Sequence, residues 1–444
     1  MNTTVDLHET KAFSAKKAVP ILLIFFVFSL IIDNSFKLVS VAIAKDLGIS
    51  TTAVSWQATL AGLVIGIGAV VYASLADSVS IRSLLAAGIA FITAGSVMGF
   101  AFQHSFPMLL VSRVVQTAGL ASAETLYVIY VAKHLPKDEQ KRFLGYSTSS
   151  YSLSLVIGSL TGGFVSTYLN WAALFLIPLL SLILLPLILK YLPKEETKKS
   201  RVDVIGLFLI ALIATSVMLY ITDFNWLYIV MLAAAVVLFL LYISKSKNSF
   251  IDITFFKNKR FVSVLAVAFI IYSVQLGYIF LFPFLLEKVY GLHLDTISLL
   301  LIPGYVTAVL VGASAGTISK YLSNKQAVSA AMIMIALSLF LPALLYGGPV
   351  IVYVISMMLF SGSFAFMYAP LLDTCVSALP SSQSGTVIGF YNLTLNVATS
   401  IGITYSAAMI ESVSFKMILS VLAVITVAAL LIYWLLIGRT RETA

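Results

Sequence analysis

Asp33, Lys37, Arg113 and Glu124 lie inside stretches that are otherwise long and apolar enough to cross a bilayer. A charge at that depth costs about 2.5–3.5 kcal/mol on insertion scales, so it persists where it is paired or used. Asp33 and Lys37 sit in Ile31-Ile32-Asp33-Asn34-Ser35-Phe36-Lys37-Leu38-Val39. Four residues apart, they stand one above the other on one helix face. Arg113 and Glu124 share a later stripe, Arg113, Thr117, Leu120 and Glu124, which should face water. At about 1.5 Å per residue they are about 16 Å apart and do not pair with each other. Arg113 therefore needs an acid from another helix, either Asp33 or a group on the fifth span. A carboxylate that alternates between dry and wet surroundings takes up and releases protons, so Asp33 and Glu124 are candidate proton carriers. Asp373, near the end of a later span, is a third. The competing reading of Asp33 and Lys37 is a structural ion pair that satisfies itself. The chemistry expected is a polar path, for protons or cargo, through a helical bundle.

The elements that must hold these side chains follow from composition. Of 444 residues, 60% are hydrophobic and only 10% charged, with mean hydropathy +1.05. A soluble domain carries roughly 25% charged residues, so the chain reads as an all-α polytopic membrane protein. Fourteen apolar runs approach the ~20 residues needed to cross the hydrocarbon layer, from one near 19–43 to one near 416–437, the fifth near 144–166 and the sixth near 171–191. The polar stretch Met1–Lys17 has no small-residue cleavage site behind the first run, which predicts a retained span. With both termini placed inside, 22 Lys and Arg fall on the cytoplasmic side and only Lys45, Lys288 and Lys416 outside. That asymmetry is the positive-inside pattern, and it accounts for the net charge of +9 without a nucleic-acid partner.

Polar breaks at Pro193–Asp203 and Ser244–Arg260 predict a six-helix bundle (1–192), two extra central helices with their linkers (193–260) and a second six-helix bundle (261–444). Within the second break, Phe250–Phe256 reads as an amphipathic segment on the cytoplasmic surface. A faint repeat links Ala73–Arg82, after the second span, to Gly316–Lys325, after the tenth. Charge falls at equal offsets, with Asp77 answered by Lys320 and Arg82 by Lys325. Internal duplication of this kind is a transporter architecture. The single Cys375 excludes an intramolecular disulfide, and His8, His104, His134 and His293 fall mostly in loops at no metal spacing. No P-loop or Ser-His-Asp arrangement falls in the spans, so neither an enzyme nor a bound cofactor is expected.

Three stretches carry a family resemblance. Ala73–Arg82 resembles the loop motif of the major facilitator superfamily, with Ala73 and Ser80 in place of its two glycines and Asp77 and Arg82 keeping its charges. Arg113-Val114-Val115-Gln116-Thr117-Ala118-Gly119 is similar to its fourth-span motif, with Thr117 for the first glycine. Gly158-Ser159-Leu160-Thr161-Gly162-Gly163 is similar to its fifth-span antiporter motif, with Ser159 for proline. With two extra central spans, the chain resembles the fourteen-span drug:proton antiporters, most of all the Gram-positive chromosomal tetracycline exporters. That resemblance takes in Asp33–Lys37 and Val54-Ser55-Trp56-Gln57-Ala58-Thr59.

The resemblance implies a plasma-membrane antiporter that exports tetracycline as a divalent-metal chelate while protons move inward, by rocking two bundles around a cavity. Asp33, Lys37, Arg113, Gln116 and Glu124 would handle cargo and protons. Asp77 and Arg82 would latch a cytoplasmic gate, and Gly158, Gly162 and Gly163 would let helices approach closely. From composition, the 12% of aromatic residues are read mostly as lipid-facing or core packing, with Trp56, Tyr127, Phe390 and Tyr391 as candidates to line an aromatic drug cavity. Small-molecule drug, protons and lipid are the partners expected, with no obligate protein partner. Another drug, a small metabolite or a proton-coupled nutrient import activity remain open alternatives.

Overall fold

The computed structural model describes residues 3–76, 78–192, 203–246, 253–318, 321–379 and 384–436, and every regular element among them is helical. The chain forms two units, residues 1–42 with 67–202 and residues 43–66 with 203–444. The first holds α1 (Thr3–Leu38) and the start of α2 (Ser40–Leu47), the later part of α3 (Thr51–Leu75), α4 (Ile81–Ala101), α5 (Phe106–His134) and α6 (Lys137–Tyr168). It closes with two 3-10 stretches, Trp171–Phe175 and Ile177–Ile183, and α7 (Leu184–Tyr191). The second holds the first part of α3, α8 (Val204–Asp223), α9 (Trp226–Lys245), α10 (Ile253–Lys257), α11 (Lys259–Tyr290) and α12 (Leu294–Ile318). It continues with α13 (Asn324–Leu344), α14 (Ile351–Val376), α15 (Ser384–Ser412) and α16 (Phe415–Leu436).

Thirteen described helices are long and apolar enough to cross a membrane, where fourteen spans were expected. The difference lies in α6. It forms where the fifth span was placed, but its apolar part is only Leu153–Tyr168. The front half, with Ser147, Thr148, Ser149 and Ser150 in succession, is too polar to count. The sixth span departs from α-helix over its first two thirds, before α7 completes it. Asn170 opens it by accepting a hydrogen bond from the Ala172 N–H at 3.0 Å, and Pro178 near the start of the second 3-10 stretch removes a backbone donor.

Small residues set the tight contacts of the first unit. A Cβ on Gly158 would lie 2.9 Å from both the Ile31 carbonyl oxygen and Asn34 Cβ, and one on Gly162 would lie 2.8 Å from the Ser35 carbonyl. The Ser35 hydroxyl donates to the Gly158 carbonyl at 2.9 Å, stitching α1 to α6. Backbones at this separation fix the height of every α1 side chain against α6. In the second unit the first half of α3 meets α15. A Cβ on Gly66 would lie 2.8 Å from Asn396 Cβ, and the Thr52 N–H donates to Glu411 Oε1 at 2.7 Å.

The α8–α9 hairpin belongs with the second unit, where α8 packs on α15. Asp203 closes the hairpin, accepting from the Gly206 N–H at 2.8 Å and the Tyr242 hydroxyl at 2.5 Å. Of the expected surface segment Phe250–Phe256, the described side chains are Phe255 and Phe256. Phe255 is buried against the Phe261 ring, Phe256 is partly exposed, and Asn258, between α10 and α11, donates to the Ala378 carbonyl at 2.6 Å. Residues 250–252 lie outside the described residues.

Candidate functional site

Asp33, on α1, is the centre of a buried charge cluster within the first unit. Its Oδ2 pairs with Lys37 Nζ one turn on, at 2.5 Å, and its Oδ1 faces Arg113 Nη2 on α5 at 3.5 Å. The acid that Arg113 needs is therefore Asp33. Arg113 is fully buried, with its guanidinium carbon 4.1 Å from the centre of the Phe36 ring. Stacking on an aromatic face suits the weakly hydrated guanidinium and offsets part of its desolvation. Arg113 Nη1 also donates to Gln116 Oε1. Gln116 Nε2 in turn donates to Ser96 Oγ on α4 at 2.9 Å, so three helices fix one guanidinium. Its Nε and Nη2 have no hydrogen-bond acceptor.

Glu124 is the fourth charge. Its Oε1 is buried and without a hydrogen-bond donor, and the carboxyl interacts electrostatically with Lys37 and Asp33. Two acids and two cations give the cluster a formal charge of zero, so one added proton or one cationic cargo unbalances it.

The water-facing stripe expected on α5 is corrected. Arg113, Thr117 and Leu120 have no exposure, because this face packs against α1 and α4; only the Glu124 end is partly open. Tyr127 is likewise buried, its ring on Phe26 and its hydroxyl donating to the Phe143 carbonyl at 2.7 Å, so it packs instead of lining a cavity. Tyr391, in the second unit, is also fully buried. Trp56 and Phe390 are partly exposed.

Asp77 and Lys320 lie outside the described residues. Arg82 is half-buried in the first turn of α4. A contact the sequence did not suggest ties α5 to the residue after α3, where Lys133 donates to the Ala76 carbonyl at 2.9 Å. Asp373 accepts from Asn324 Nδ2 at 2.7 Å at an exposed helix end of the second unit. Among the described residues no three His, Cys, Asp or Glu side chains gather at metal-binding separation.

Residues 21–403 match the family model described as "Major Facilitator Superfamily". Among characterised relatives, the chain is 24% identical over 400 residues to the riboflavin transporter RibZ of Clostridioides difficile (strain 630), covering 88% of this chain and 87% of that one. It is 26% identical over 413 residues to the quinolone resistance protein NorB of Staphylococcus aureus (strain MRSA252), covering 88% and 86%. Among solved structures, a D-xylose-proton symporter superposes with TM-score 0.65 at 14% identity, covering 95% of this chain and 97% of its own. A POT family transporter in complex with a thioalcohol conjugated peptide superposes with TM-score 0.70 at 14% identity, covering 94% and 95%.

Proposed function

Since this chain belongs to the major facilitator superfamily, it is a multi-pass plasma-membrane transporter and not an enzyme, and we propose that it is a proton-coupled exporter of planar, polar aromatic drugs. The observation that carries this reading is the set of four ionisable side chains inside the spans, Asp33 paired with Lys37 and Arg113 and interacting electrostatically with Glu124. A buried ionisable set inside spans is a functional-site hypothesis by default. The name of NorB supports the drug; quinolones and tetracycline are both fused-ring molecules with polar edges. Tetracycline, carried as its divalent-metal chelate, is the cargo that the motif resemblance puts first, with the metal travelling as cargo and no cofactor of the protein's own.

In this reading Asp33 and Glu124 carry protons, Lys37 and Arg113 with Gln116 set their balance, and Asp77 with Arg82 latches the cytoplasmic side. Gly158, Gly162 and Gly163 keep α6 close to α1. The chain spans the membrane fourteen times with α6 counted as a span. Both termini are cytoplasmic, and two six-helix bundles (1–192 and 261–444) flank a central pair (193–260). No nucleic acid or obligate protein partner enters the cycle.

Inverted vesicles test this directly. Accumulation of labelled tetracycline or a quinolone is expected when the lumen is acidified and should vanish when the pH gradient is collapsed. Accumulation indifferent to the gradient removes proton coupling. A second reading is favoured by the likeness to RibZ, namely transport of a ring-containing metabolite. Uptake of riboflavin into right-side-out vesicles, with no export of either drug, would select it.

A further inference from the structure

Resting on that reading, we propose that Tyr151 of α6 is a specificity-determining contact: its ring receives the flat face of an aromatic cargo whose N–H or ammonium group is taken by Glu124 Oε1. Tyr151 is 47% exposed, yet it does not belong to the lipid-facing side of its helix. At 3.6 residues per turn it lies about 20° from Gly158 and Gly162, the residues pressed against α1. The exposed apolar stripe of α6, Leu153, Ile157 and Phe164, lies about 120–160° away. Ser154, on the next turn, is fully buried. The Tyr151 ring therefore opens onto a space on the protein side of α6, just where the tight α1 contact ends.

Three charged groups act electrostatically on Tyr151: Lys37, Glu124 and Asp33. Glu124 contributes a second, independent observation. Its buried Oε1 accepts from nothing in the protein, and a carboxylate oxygen so placed is satisfied by a donor on the cargo. Lys37 is already held by Asp33 and is 18% exposed, so its remaining donors suit a keto or carboxylate oxygen on the cargo's other edge. An open aromatic ring beside one acid and one cation selects a flat ring system carrying both donors and acceptors. An aliphatic cation would find the acid and lose the ring.

The test uses full-length purified protein and the intrinsic fluorescence of norfloxacin, tetracycline and riboflavin. For each of these that the wild type binds, Tyr151→Phe should stay within about twofold in Kd, whereas Tyr151→Leu should bind about tenfold more weakly, an effect of the size expected for a lost aromatic contact. Unaltered Kd in Tyr151→Leu, with binding by the wild type, overturns the role of Tyr151 and leaves the exporter reading standing. Wild-type protein that binds none of the three overturns both. Should Tyr151→Leu fold poorly, Tyr151→Cys in a Cys375→Ser background supplies a second readout. Saturating cargo should slow its modification by a polar maleimide at least fivefold, and an unchanged rate overturns the proposal.

Discussion

Asp33 serves two cations at once, so removing its charge strands both Lys37 and Arg113. Breaking a buried pair costs about 3–5 kcal/mol, and Asp33→Asn should lower the thermal midpoint as well as abolish proton-driven transport. Both are to be measured on one preparation. Full drug-gradient formation by this variant would take Asp33 out of the mechanism, and rescue by the exchange Asp33→Lys with Lys37→Asp would make the pair structural. Glu124→Gln behaves differently, because no partner in the protein donates to its Oε1. It should keep cargo binding within about tenfold and lose the dependence of cargo release on pH, followed by equilibrium binding between pH 6 and 8. Release that still tracks pH would assign the proton elsewhere. The sequence showed these two acids plainly, since a charge inside an apolar run stands out. It did not show Ser96 or Tyr151. Hydroxyl residues are common in spans and often bond their own helix, as Ser29 does to the Phe26 carbonyl, so nothing in the sequence separates one that anchors Gln116 from one that does not.

At the scale of elements, the α1–α6 seam is set by atoms that leave no room for a Cβ. Gly162→Leu forces side-chain atoms into the Ser35 backbone, and overpacking of this kind costs about 1–3 kcal/mol. Its thermal midpoint should fall, and Arg113 should lose its register against Phe36, with transport falling further than stability alone explains. A variant as stable and active as the wild type would show that α6 can move outward at no cost. At the other end of the chain's midsection, Asp203→Ala removes the cap of α8 and the tie to Tyr242, a loss of about 0.5–2 kcal/mol. Hydrogen exchange should rise at the start of α8 and leave α5 untouched. Hydropathy located nearly every helix, because span length is dictated by the bilayer. It could not reveal that α3 divides its packing between two units, or that Phe255 turns inward. Both involve distant partners, Glu411 and Asn396 for α3 and Ala378 for the Asn258 that follows α10, which no local window contains.

For the whole molecule, family membership was legible from three motifs, and the match over residues 21–403 agrees with it. Cargo was much less so, since relatives of 24% and 26% identity bear the names of a vitamin transporter and a drug-resistance protein. Cargo choice rests on a few side chains at one site, whereas fold rests on hundreds of positions. The sixth span bears on the molecule as a whole in another way. Its 3-10 stretches, Trp171–Phe175 and Ile177–Ile183, hold five and seven residues. Each residue advances about 2.0 Å there, against about 1.5 Å in an α-helix, so the span reaches about 6 Å farther than its residue count implies. Leu176, Leu180 and Ile183 are exposed along this stretched segment. Rewinding these residues as α-helix, wider and shorter per residue, would shorten the span, so its match to the bilayer depends on winding as well as on residue count. Transport by reconstituted protein should accordingly vary with acyl-chain length and fall in the thinnest lipids, while a replacement of Pro178 by Ala should shift the optimum toward shorter chains. An optimum that Pro178→Ala leaves in place would mean that the winding of this span does not set its reach.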